Sequence, residues 1–161
     1  MKYFFFRYGK LLFGVIALLD LLFTFGHYDH LRLFSKPLLM PALAAYVMSL
    51  PAAKHKNSWF IIIGLLFAAA GDMFLLFDQL SPNMFIFGLV CFLFTHILYI
   101  LYFAKTPQTK PSLLKQSPVI GLVLLAYIAT FLLCLFPHLG SLKIPVIIYT
   151  VVIGTMFLLS I

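Results

Sequence analysis

The chain has 161 residues, of which 64% are hydrophobic and 9% charged, and its mean hydropathy is +1.12. Soluble domains are about 45–50% apolar and about 25% charged, so a water-soluble fold is excluded and lipid must be the main solvent. Eleven Lys and Arg against four Asp give a net charge of +7, but the basic residues flank apolar segments, which points to orientation in a membrane and away from nucleic acid.

About 20 apolar residues are needed to cross a hydrocarbon core about 30 Å thick. The sequence predicts six such segments, at 10–26, 34–50, 58–77, 84–103, 117–136 and 144–161. The first follows Lys2, Arg7 and Lys10 and runs into Phe23-Thr24-Phe25-Gly26-His27 without a small-residue cleavage site. It therefore reads as a retained span and not as a signal peptide. The breaks, His27–Ser35, Pro51–Asn57, Asp78–Asn83, Lys105–Gln116 and Pro137–Lys143, carry the polar residues, Gly and Pro expected of turns. The segments are continuously apolar and do not alternate, which argues against a membrane β-barrel. The expected fold is all-α, a polytopic transmembrane helical bundle forming a single domain over residues 1–161.

Eight Lys and Arg (Lys2, Arg7, Lys10, Lys54, Lys56, Lys105, Lys110 and Lys115) would lie on one side, against Arg32, Lys36 and Lys143 on the other. This places the N-terminus in the cytoplasm. Met156–Ile161 is still apolar where the chain stops, so the bundle is expected to be incomplete at its C-terminal end. Cys91 and Cys134 sit in apolar segments and read as packing residues.

Ionisable groups within spans cost about 2.5–3.5 kcal/mol on insertion scales and usually serve a function. Asp72, after Gly71 in the third span, is the foremost of these. Asp20 matches it in burial but has no motif around it. Lys36 opens the second span, His96 lies in the middle of the fourth with Tyr99 after it, and Tyr149 lies early in the sixth. Singly, Lys36 reads as an interfacial anchor, and the tyrosines read as packing. At a rise of about 1.5 Å per residue, Lys36, Asp72 and Tyr149 fall in one shallow layer with His96 beneath, which suggests a polar pocket open to the outer leaflet. Gly64, Ala68 and Gly71 form a small-residue stripe that would admit a neighbouring helix. Gly88, Phe92, His96, Tyr99 and Phe103 share a face of the fourth span. The loop histidines lack metal-site spacing, so no metal is expected.

Four blocks carry a family resemblance: Lys36-Pro37-Leu38-Leu39-Met40-Pro41; Gly64-Leu65-Leu66-Phe67 leading to Gly71-Asp72; Gly88 through Phe92 to His96-Ile97-Leu98-Tyr99 and Tyr102-Phe103; and Pro145-Val146-Ile147-Ile148-Tyr149 with Ile153 and Met156. In this order they resemble the YhhN-like membrane family, which includes the lysoplasmalogenases. The resemblance implies eight spans, no cofactor, and hydrolysis of the vinyl ether of a lysophospholipid to a fatty aldehyde and a glycerophospho-headgroup compound. The family has a further acidic, Ser-Asp-like motif in a later span, which these residues do not include. On this reading Asp72 is the general acid and His96 positions water or relays a proton. Lys36 and Tyr149 hold the phosphate headgroup, and Tyr99 lines the pocket with His96. The rival readings are a non-catalytic lipid or small-solute carrier and a structural membrane subunit.

Overall fold

The structure, a computed structural model, describes residues 2–51, 55–106 and 117–161. Lys54, Lys110 and Lys115, three of the residues that set the expected orientation, lie outside the described residues. Among the described residues there are six α-helices and no strand: α1 (Lys2–Phe25), α2 (Asp29–Ser49), α3 (Trp59–Leu76), α4 (Pro82–Lys105), α5 (Pro118–Leu135) and α6 (Lys143–Ser160). All six expected segments are helical. α1 and α2 begin earlier than hydropathy alone suggests, because hydropathy marks only the apolar part of a helix and both continue through polar residues. Lys36 therefore does not open α2; it lies seven residues, about 10 Å, inside it.

Five of the helices are long and apolar enough to cross a membrane. The exception is α2, whose Asp29, His30, Arg32 and Lys36 lower its hydropathy. Its 21 residues still span about 31 Å. The chain is a multi-pass membrane protein. The large apolar side chains have the outward exposure that lipid favours. Leu11, Phe25, Leu122 and Leu133 are each at least 66% exposed, whereas the buried apolar residues described are Ala44, Phe60, Leu65 and Ala68. In water such a surface would aggregate.

The residues divide into two compact units, Met1–Leu98 and Tyr99–Ile161, with the boundary inside α4. In the first unit, α1 and α2 form an antiparallel hairpin. The end of α1 closes with bonds from Tyr28 N–H to the Phe23 carbonyl (2.9 Å) and from His27 N–H to the Thr24 carbonyl (3.4 Å). This is the Schellman pattern, and His27, at φ 55°, occupies the left-handed position that glycine usually takes. α2 packs on α1 and on α3. It contains Pro37 and Pro41, which free two carbonyls; membrane helices tolerate this where neighbouring groups satisfy them.

α3 and α4 run antiparallel in close contact. Thr95 Oγ1 donates to the Gly64 carbonyl at 3.0 Å, and Phe74 meets Phe87 with ring centroids 5.7 Å apart. A Cβ on Gly71 would come within 3.2 Å of the Gly88 carbonyl oxygen and 2.9 Å of the Phe92 ring. The buried stripe of Gly64, Ala68 and Gly71 therefore removes the side chains that would hold the helices apart.

In the second unit, α5 leads through short 3₁₀ turns at Phe136–His138 and Gly140–Leu142 into α6. Gly140 turns the chain at φ 50°. Lys143 sits 4.8 Å over the Phe136 ring. Gly154 brings α6 against Ile128 of α5, where an added Cβ would lie 3.0 Å from Cδ1.

Candidate active site

Asp72 lies four residues, about 6 Å, from the end of α3. The glycine before it draws α4 close, and α2 packs on the same helix. Lys36 reaches across from α2 so that its Nζ stands 4.0 Å from Asp72 Oδ1, with side-chain exposures of 23% and 14%. A lipid-embedded carboxyl is thus matched by a cation at its own depth, which is the partner that a membrane charge requires. At this separation and an effective dielectric of about 20 the direct attraction is about 4 kcal/mol before desolvation is counted.

The residue before Lys36 faces a second acid. Ser35 is buried at 8% exposure, and its hydroxyl donates to Asp20 Oδ1 of α1 at 2.6 Å. One turn of α2 therefore holds an acid from each neighbouring helix. Asp20 had competed with Asp72 on burial alone; its contact with Ser35 supplies the partner that the surrounding sequence does not show.

Lys36 also lines a half-open cleft of about 590 Å³, bounded by His30, Arg32 and Leu33 on α2, by Leu75 and Leu76 on α3, and by Asp78 and Gln79 in the turn that follows. Arg32 and Lys36 are four residues apart on one helix and so share a face. The cleft lies at the N-terminal end of α2, where the helix dipole also favours an anion. Arg32 and His30 had been read as loop residues; the signal that marks Arg32 is its spacing to Lys36, visible once both are placed in one helix.

His96 lies eight residues beyond Gly88 in α4. This is about 12 Å further along the helix than the point where Gly88 meets the glycine preceding Asp72. Its Nδ1 lies 2.6 Å from the Phe92 carbonyl oxygen, so that nitrogen carries the proton in this bond. Tyr99 follows three residues later and belongs to the second unit, as does Tyr149, six residues into α6. Both tyrosines are partly buried. Among the described residues no group of three His, Cys, Asp or Glu is arranged to hold a metal ion.

The family model of the YhhN family matches residues 31–161. The chain belongs to the YhhN family. No curated protein and no solved structure matches it with significance. Arg32, Ser35, Lys36, Asp72, His96, Tyr99 and Tyr149 fall within the matched segment. Asp20 and His30 precede it.

Proposed function

We propose that this YhhN chain is a membrane-embedded hydrolase that cleaves the vinyl ether of lysoplasmalogen-type lysophospholipids. The observation that carries the reading is the Lys36–Asp72 pair, whose lysine also lines the cleft with Arg32. A vinyl ether is hydrolysed by protonation of the alkene carbon remote from oxygen. The resulting oxocarbenium ion takes up water, and the hemiacetal collapses to an aldehyde and an alcohol. The steps need one proton donor, one positioned water, and negative charge near the cation as it forms. Asp72 is the donor in this scheme, since a carboxyl acting as general acid contributes about 10²–10⁴-fold.

The cleft suits the other end of such a lipid. Arg32 and Lys36 present their charges on one face, and a guanidinium matches the geometry of a phosphate. The alkenyl chain would run from the headgroup into the apolar helices. His96, deeper on α4, is proposed to hold water or relay a proton. With the N-terminus in the cytoplasm, as the Lys and Arg distribution suggests, the cleft opens to the outer leaflet.

Aldehyde release from a vinyl-ether lysophospholipid, assayed with purified protein in detergent, tests the proposal. Asp72→Asn should lower turnover by at least about 100-fold while the protein stays folded. Full activity of that variant removes Asp72 from the reaction. Movement of intact lipid across liposomes, with no chemical change, would replace the hydrolase by a carrier.

A further inference from the structure

We infer that the cleft selects a zwitterionic headgroup ending in a primary amine, a phosphoethanolamine, and that the Asp78 carboxylate holds its ammonium. The inference rests on the reading of this cleft as the place of the lipid headgroup. It adds the chemistry of that headgroup and the residue that chooses it.

The walls of the cleft come from two helix ends that lie side by side. Its α2 residues fall at the start of that helix, and its α3 residues at the last two positions and the turn beyond. The N-terminal end of α2 therefore meets the C-terminal end of α3, and outward along one helix is outward along the other. From the Lys36–Asp72 contact, Arg32 lies four residues, about 6 Å, toward the mouth, and Asp78 lies six residues, about 9 Å. Leu75 and Leu76, three and four residues after Asp72, share its face. Bonds from Phe77 N–H to the Phe74 carbonyl (3.1 Å) and from Leu80 N–H to the Phe77 carbonyl (3.0 Å) then tighten the chain, and Asp78 and Gln79 continue the same wall.

The charges along the cleft thus run in a fixed order, two cations and then an acid. A lysophospholipid with its chain end deepest presents glycerol, phosphate and amine in that direction. The phosphate meets Lys36 and Arg32, and the two carbons of ethanolamine span the remaining offset of about 3 Å to Asp78. A cleft of about 590 Å³ is of the size that takes a small ligand, about 300–1,000 Å³.

The fold gives the Asp78 charge no use of its own. The residue is exposed, and among the described residues no hydrogen bond or ion pair engages its carboxylate. It stands just past the C-terminal end of α3, where the helix dipole disfavours an anion. A ligand cation offsets that cost. A primary ammonium donates three hydrogen bonds, for which the Asp78 carboxylate and the Gln79 side-chain oxygen are acceptors. A quaternary ammonium donates none and is held over aromatic faces, and among the described residues no Phe, Tyr or Trp lines the cleft. A headgroup ending in glycerol leaves Asp78 without a cation, and a bare phosphate brings a second negative charge toward it.

The test measures binding without aldehyde chemistry, by displacement of a radiolabelled acyl-lysophosphatidylethanolamine from the full chain in maltoside detergent. Competitors carry the same acyl chain with ethanolamine, choline, glycerol or bare phosphate as headgroup. The ethanolamine lipid should bind about tenfold more tightly than the others, the worth of a hydrogen bond between charged groups, and Asp78→Asn should lose that tenfold while the choline and glycerol lipids change by less than about twofold. Arg32→Gln should weaken all four, and its failure to weaken any overturns the placement of the phosphate. Equal binding of the ethanolamine and choline lipids by the parent, or an undiminished preference in Asp78→Asn, overturns the inference. Should Asp78→Asn fail to fold, Asp78→Ser carries the same test. Glycerophosphoethanolamine, the same headgroup without a chain, is a further competitor; if it displaces the label as well as the lipid does, the assignment to a lipid falls. Aldehyde release from ethanolamine and choline vinyl-ether lysophospholipids, measured in parallel, separates this inference from the hydrolase reading. Equal kcat/KM for the two headgroups keeps the hydrolase and overturns the selection. Selective binding with no aldehyde from either keeps the selection and overturns the hydrolase.

Discussion

Lys36 and Asp72 are expected to couple energetically, and a double-mutant cycle measures by how much. Lys36→Met keeps the length of the side chain and removes its charge; Asp72→Asn keeps an acceptor oxygen in nearly the same place. At 4.0 Å the attraction of about 4 kcal/mol is partly offset by the desolvation of both groups. Removing one partner of a fully buried pair costs about 3–5 kcal/mol, and exposures of 23% and 14% reduce that figure. The expected coupling is about 2 kcal/mol, within the range seen for contacting residues. Lys36→Met should be the more harmful single change, since it leaves a carboxyl without the cation opposite it. Asp72→Asn still offers the ammonium an oxygen. Reversible unfolding in mixed detergent can be followed through Trp59, the protein's one tryptophan, which stacks on Phe60 at a centroid distance of 3.8 Å. If the two single effects add to the double within about 0.5 kcal/mol, the pair contributes nothing to the native state and the reasoning from its geometry fails.

Gly88→Ala should destabilise the protein by about 1–3 kcal/mol in the same unfolding assay, because the new methyl would sit 3.0 Å from Leu75 and 3.2 Å from the Gly71 carbonyl oxygen. Thr95→Val keeps the shape of a side chain that is 3% exposed and removes its bond to the Gly64 carbonyl; the expected loss is about 0.6 kcal/mol, typical of hydrogen bonds between membrane helices. His27→Gly should instead stabilise by about 1 kcal/mol, since a side chain at positive φ is strained where glycine is not; a lower unfolding midpoint for that variant would contradict the Schellman assignment.

The sequence was enough to place the protein in a membrane, because lipid compatibility is a sum over local composition and each helix satisfies its own backbone hydrogen bonds. Span positions followed to within a few residues, except where α1 and α2 run on through polar residues that hydropathy does not count. Asp72 also stood out in the sequence, since a carboxyl beside glycine in an apolar run has no packing explanation. Lys36 was named from the sequence but placed at the mouth of its span, and Arg32 was assigned to a loop. Both errors came from treating the start of apolarity as the start of the helix. What only the tertiary structure decided is which polar groups meet. Asp20 and Ser35 are 15 residues apart and Lys36 and Asp72 are 36 apart, and their meeting depends on how α1, α2 and α3 are rotated against one another. That rotation is set by the packing of small and large side chains at the helix contacts, and no local property of the chain encodes it.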